Sequence, residues 1–217
     1  MDKKKYFEYI LPVLQPVLIA QGFKFIKSKD AFEKKIVGGW IRINFFFHHF
    51  GFANKVNMDF SLRIDALQNI FVKYRKMNPS NYKDTASIGF ALTSLLGQDQ
   101  NGFEFETVGE IDELLNNKFI PFLQTDVPNF SQKYNNIEAI FNYYYSPEKS
   151  SDFMDLKYNG HVLAVIAAKL LNRSDFSEVV AWADKGLLKL KQKWPSSNEV
   201  ELYDTFFGKM VIDLKNT

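Results

Sequence analysis

The chain contains no cysteine among its 217 residues, so disulfides and thiolate metal sites are excluded and a reducing, cytoplasmic setting is expected. Histidine is scarce, with three in all. Two of them, His48 and His49, are adjacent on a strand-like run and so point to opposite faces, while His161 is far away in sequence. That spacing predicts no metal site, and no cofactor is expected. Charge of one sign is also lacking: Lys and Arg total 27 against 25 Asp and Glu, without the basic excess typical of a nucleic-acid or anionic-membrane binder. No apolar run approaches the roughly 20 residues of a membrane span. The basic start, Lys3-Lys4-Lys5, is followed by Glu8, Pro12, Gln15 and Pro16 rather than by an unbroken apolar core, so no secretory signal is expected.

Catalytic signatures are missing as well. Gly38-Gly39 lacks the strand–loop–helix context of a phosphate loop, no Gly-x-Ser-x-Gly elbow occurs, and a thiol nucleophile is impossible. What the chain has in quantity is phenylalanine, 22 residues, which points to an aromatic core.

The firmest pattern lies between Phe32 and Ile64. Val56, Met58, Phe60, Leu62 and Ile64 alternate with Asn57, Asp59, Ser61 and Arg63, and period-two alternation assigns the two sets to opposite faces of a strand. Before it, Ile41, Ile43, Phe45 and Phe47 alternate with Trp40, Arg42, Asn44, Phe46 and His48. A turn at Gly51-Phe52 brings the two apolar sets together, pairing Phe45 with Met58 and Ile43 with Phe60. A second turn at Gly38-Gly39 pairs Ile36 with Ile41 and Phe32 with Phe45, and places Glu33 opposite Asn44 and Lys35 opposite Arg42. The product is an antiparallel meander with one apolar and one polar face.

Around the meander the period is helical. Tyr6 to Gln21 reads as an amphipathic helix that Pro12 and Pro16 should kink or break, with Gly22 as its stop. A short helix follows Ile64, then a loop at Asn78 to Asn81. Ala86 to Leu95 and Phe103 to Val108 read as a further hairpin on the same sheet. Helices are expected over Glu110 to Leu123, Ile137 to Tyr145, Tyr158 to Leu171, Phe176 to Lys191 and Glu199 to Leu214. Asp175 and Glu178 have capping-box spacing, and lysines from Lys185 to Lys193 complement a helix C-terminus. The expected class is α+β: an N-terminal helix packed on an antiparallel meander within residues 1–125, then a helical region over 126–217.

The helix ending Gly22-Phe23-Lys24, the strand through Trp40-Ile41-Arg42-Ile43 and the alternating strand from Asn57 to Ile64 together resemble bacterial families described only as domains of unknown function. The resemblance spans roughly the first 125 residues as pattern. It implies a fold and carries over no catalytic residue.

Candidate chemistry concentrates on the polar face. Glu33, Asn44 and Asp59 fall in one row, Lys35, Arg42 and Ser61 in the next, and Trp40 faces Arg63, with His48 near the hairpin mouth. Solvated cross-strand ion pairing is the plainest account of such a face. As a functional surface, Glu33, Arg42, Asn44, Asp59, Arg63, Trp40 and His48 suit a protein partner, as in an immunity-type or accessory protein. Two carboxylates with a histidine also suit acid–base chemistry on a small molecule. The second reading requires that Glu33, Asp59 and His48 converge in a closed pocket.

Overall fold

The computed structural model describes residues 2–49, 54–75, 79–97, 102–145, 158–193, 195 and 198–216. In chain order the elements are α1 (Lys3–Ala20), β1 (Lys24–Ile26), β2 (Ala31–Ile36), β3 (Gly39–His49), β4 (Asn54–Ile64), α2 (Asp65–Tyr74), β5 (Ile88–Ala91), α3 (Leu92–Leu95) and β6 (Phe103–Phe105). Then come α4 (Val108–Leu114), α5 (Val127–Lys133), α6 (Ile137–Tyr144), α7 (Tyr158–Leu170), α8 (Phe176–Lys193) and α9 (Asn198–Lys215). The fold is α+β. Two compact units interleave along the chain: residues 1–63 with 88–133, and residues 64–87 with 134–217.

The first unit holds the sheet, in the order β1-β2-β3-β4-β5, with β6 also on β4. Its apolar face is the one the alternation marks: Phe32, Ile41, Ile43, Phe45, Val56, Met58, Phe60 and Leu62 are all buried. Helix α1 packs against this unit's core through Tyr6, Phe7, Ile10, Leu14 and Leu18. Tyr6 lies against Phe47 and Phe105, and Phe7 meets Phe45 edge-on. The helix starts earlier than its apolar spacing suggests, because the Asp2 carboxylate accepts the Lys5 N–H as N-cap. It is not broken at its prolines. Pro12 and Pro16 both sit on the exposed side, where a carbonyl that loses its helical partner is open to solvent instead of being stranded in the core. At its end Phe23 N–H bonds Leu18 O and Gly22 N–H bonds Ile19 O, a Schellman motif with Gly22 at φ +85°.

Two expectations about the sheet need correcting. The β2–β3 hairpin turns at Val37-Gly38, with Gly38 at φ +72°, so Ile36 pairs with Gly39, Phe32 with Ile43 and Glu33 with Arg42. This register is two residues from the one Gly38-Gly39 suggests. Only one glycine is needed for the positive φ, and Gly39 joins the strand; a shift of two leaves the faces unchanged, so alternation cannot tell the registers apart. The Gly51-Phe52 turn lies outside the described residues.

Nor do β5 and β6 form a hairpin with each other. Both run antiparallel to β4 along the same side, β5 opposite Asp59 to Leu62 and β6 opposite Asn54 to Val56. They are two pieces of one interrupted strand. At the interruption the Asn57 carboxamide stands in for a strand neighbour: its oxygen accepts Met58 N–H and its nitrogen donates to Thr93 Oγ1 of α3. Where the chain returns, Gly102 (φ +104°) passes so close to β4 that a Cβ would lie 2.7 Å from Val56 O.

Helix α4 begins with a capping box, Thr107 accepting Glu110 N–H while the Glu110 carboxylate takes Thr107 N–H. It continues through π turns at Leu115–Phe119 and Phe122–Asp126 into α5. The cause is legible in the spacing. Ile111, Leu115, Phe119, Leu123 and Val127 are all buried and recur strictly every four residues. In an α-helix such a repeat drifts about 40° per step, whereas wider i→i+5 turns hold it on one face.

The second unit is helical. α7 packs against α2, α6, α8 and α9 and is buried from Val162 to Ala168. The α7–α8 connection is a second Schellman turn, with Asn172 at φ +50°. Asp175 does not use its carboxylate as a helix cap there: Arg173 takes it with two bonds, at 2.8 and 2.9 Å. Ser87, just past the 3₁₀ stretch Pro79–Asp84, is tied to the start of α2, accepting Ile64 N–H and a Gln68 amide proton, while its carbonyl accepts Tyr144 O–H. No helix among the described residues is long and apolar enough to cross a membrane.

Candidate functional site

The polar face of the sheet divides into two ends. At the β3 start and β4 end, Trp40, Arg42 and Arg63 are 4%, 6% and 4% exposed, so this end is buried. The β2–β3 register puts Glu33 directly across from Arg42. Arg42 donates through Nη2 at 2.7 Å and Nε at 3.2 Å to one Glu33 oxygen, and Lys35 Nζ stands 2.9 Å from the other. The guanidinium also stacks on the Trp40 ring, 4.1 Å from its centroid. Burial would raise the Glu33 carboxyl, but the hydrogen bonds from Arg42 and Lys35 outweigh it and hold Glu33 below the ordinary carboxylate value.

This is an ionised carboxylate with both oxygens engaged. It is suited to anchoring Arg42, not to delivering or accepting a proton near neutral pH. The structure therefore joins Glu33 to Arg42, Lys35 and Trp40, and does not align Glu33 with Asn44 and Asp59 in one row. Asn44 lies opposite Ala31 and donates its side-chain amide to Ser61 Oγ at 3.3 Å, and Asp59 lies opposite Ala91 of β5.

Toward the other end of β3 the face opens. Asn44 is half-buried, Phe46 is 39% exposed, and His48 is exposed. His49 points the other way in the alternation and its Nδ1 lies 2.9 Å from Asn54 Oδ1. Among the described residues no group of three or more His, Asp and Glu is placed to hold a metal ion.

Sequence reasoning overlooked two sets of residues. Phe46 reads as an aromatic that could stack beside Trp40 yet falls outside the candidate surface, although a large aromatic among polar neighbours on a one-sided sheet is itself a signal. His161 is the other. It is 1% exposed in the second unit, its ring stacked on Trp182 at 4.8 Å and 30°. Nothing in the local spacing links it to Gly186 and Trp182 on the next helix. Comparison with protein-family models, with curated proteins and with solved structures returns no match.

Proposed function

We propose that the protein is a non-enzymatic binding module, of the immunity or accessory kind, that engages a protein partner through the open end of the sheet's polar face. The observation that carries this reading is Phe46, a large aromatic 39% exposed beside exposed His48, on a strand whose other end is buried and ion-paired. Exposed aromatics on a rigid element lose little entropy on binding and dominate interface energetics. Asn44, already bonded to Ser61, and Asp59 give the polar rim that such an anchor uses. The clamped state of Glu33 favours recognition over acid–base chemistry. Trp40, Arg42 and Arg63, buried at the other end of the same face, hold the strands rather than meet the partner.

The test is affinity capture with the full chain from its native host, followed by calorimetric titration of the purified partner against wild type, Phe46→Ser and His48→Ala. The expected outcome is an affinity loss of at least tenfold for Phe46→Ser, on the order of 1.4 kcal/mol, at an unchanged melting temperature. A partner that binds both variants as tightly as wild type places the interface elsewhere.

A further inference from the structure

Among the described residues His161 is the one histidine buried with both ring nitrogens unpartnered. It sits within the run of α7 that is wholly buried, and neither ring nitrogen has a hydrogen-bond partner among the described residues. The same holds for Nε1 of Trp182, the ring stacked upon it. A buried polar group without a partner costs about 1–3 kcal/mol, so its presence calls for a reason. Helix α8 is shaped to receive it. Gly186 lies in the middle of that helix, where glycine is unfavourable by about 1 kcal/mol relative to alanine, and a Cβ at that position would collide with His161 Nε2.

We infer that His161 is an acid trigger: the α7–α8 pairing is built to hold the neutral imidazole and loses its packing when that ring is protonated.

Among the described residues no hydrogen-bond partner stands ready for an imidazolium. On α8 the groups against the ring are Trp182 and Gly186, and the ionisable neighbours of Trp182 in sequence are Asp184 and Lys185. Just past α6, Tyr145 meets the Trp182 ring edge-on. On α2 and α9 the groups are engaged with one another, Tyr74 and Lys209 both donating to Asp213, with Lys73 over the Tyr74 ring. Asp175 and Glu178 act on Tyr145, with Arg173 opposing them; among the described residues burial is the one influence that shifts His161, and it pushes the ring down to about 4. In the unfolded chain the ring titrates near 6.5. The unfolded or opened state thus binds the proton first: the stability of the pairing is complete above about pH 6.5 and is lost progressively as pH falls toward 4.

Hydrogen exchange on the full chain at pH 7.5 and 5.0, corrected for intrinsic rates, reads the effect directly. The opening constant of the α7 and α8 amides should rise about 30-fold at pH 5.0, while the β3 and β4 amides keep their protection. His161→Phe should abolish the rise in α7 and α8. Unchanged α7–α8 protection in wild type, or the same 30-fold rise in the variant, overturns the inference. Should His161→Phe not fold, the imidazole of wild type can be titrated by NMR: an apparent pKa below 5 agrees, and one near 6.5 overturns it.

Discussion

Tyr6 is fully buried between the rings of Phe7, Phe47 and Phe105, and its hydroxyl has no hydrogen-bond partner among the described residues. The ring contributes core area, but the hydroxyl carries an uncompensated desolvation penalty. Tyr6→Phe should therefore leave the fold as stable or raise it by about 1 kcal/mol, read from chemical denaturation midpoints. Most substitutions in a core lower stability, so the sign is the informative part. At this scale the sequence was legible where a residue acts through its neighbours along the chain, as Gly22 does at the end of α1, although the capping box of Thr107 and Glu110 was hidden inside a run that alternates like a strand. It was not legible where a residue acts through partners on another element. Arg42 and Trp40 read as surface because alternation reports which face a side chain takes, not whether that face is covered. His161 reads as an isolated histidine because its counterpart is a glycine on the following helix, where the decisive feature is a missing side chain.

Among the elements, β4 is the one on which the sheet depends, with β3 on one side and the two pieces β5 and β6 on the other. Phe60 is fully buried and lies against Phe90 and Phe130, so Phe60→Ala should cost about 3–5 kcal/mol. Asn57, which alternation assigns to an open polar face, is buried and bonded to Met58 N–H and Thr93 Oγ1. Asn57→Ala should accordingly cost about 1–3 kcal/mol rather than being silent. Urea titrations of the two variants beside wild type check both values, and a neutral Asn57→Ala would mean that the gap in the strand is filled by solvent instead. The faces of the strands were readable because period two is local. The two-residue offset at the Val37-Gly38 turn and the shared edge of β4 were not, because every register of the same parity buries the same side chains.

For the molecule as a whole, the chain passes from one unit to the other after Arg63, returns after Ser87 and crosses again after Lys133. The first two crossings meet at Ser87, whose hydroxyl takes the Ile64 N–H at 2.9 Å and a Gln68 amide proton at 3.3 Å. Ser87→Ala changes shape little but strands a buried backbone donor, so a loss on the order of 1–3 kcal/mol is expected, measured as a lower thermal midpoint. Helical spacing after Ile64 foretold α2, yet nothing in composition marks residues 64–87 as belonging with the C-terminal helices, since both units draw on the same aromatic vocabulary. The interrupted edge strand has a consequence of a different kind. Ala91 stands opposite Asp59 and Phe103 opposite Val56, so only Met58 and Asn57 lie between, and two residues would suffice where residues 92–102 now run. The excursion begins with Leu92 and Thr93, both buried, and Thr93 holds the Asn57 amide, so a two-residue link would keep the strand order but would have to bring its own acceptor for Asn57.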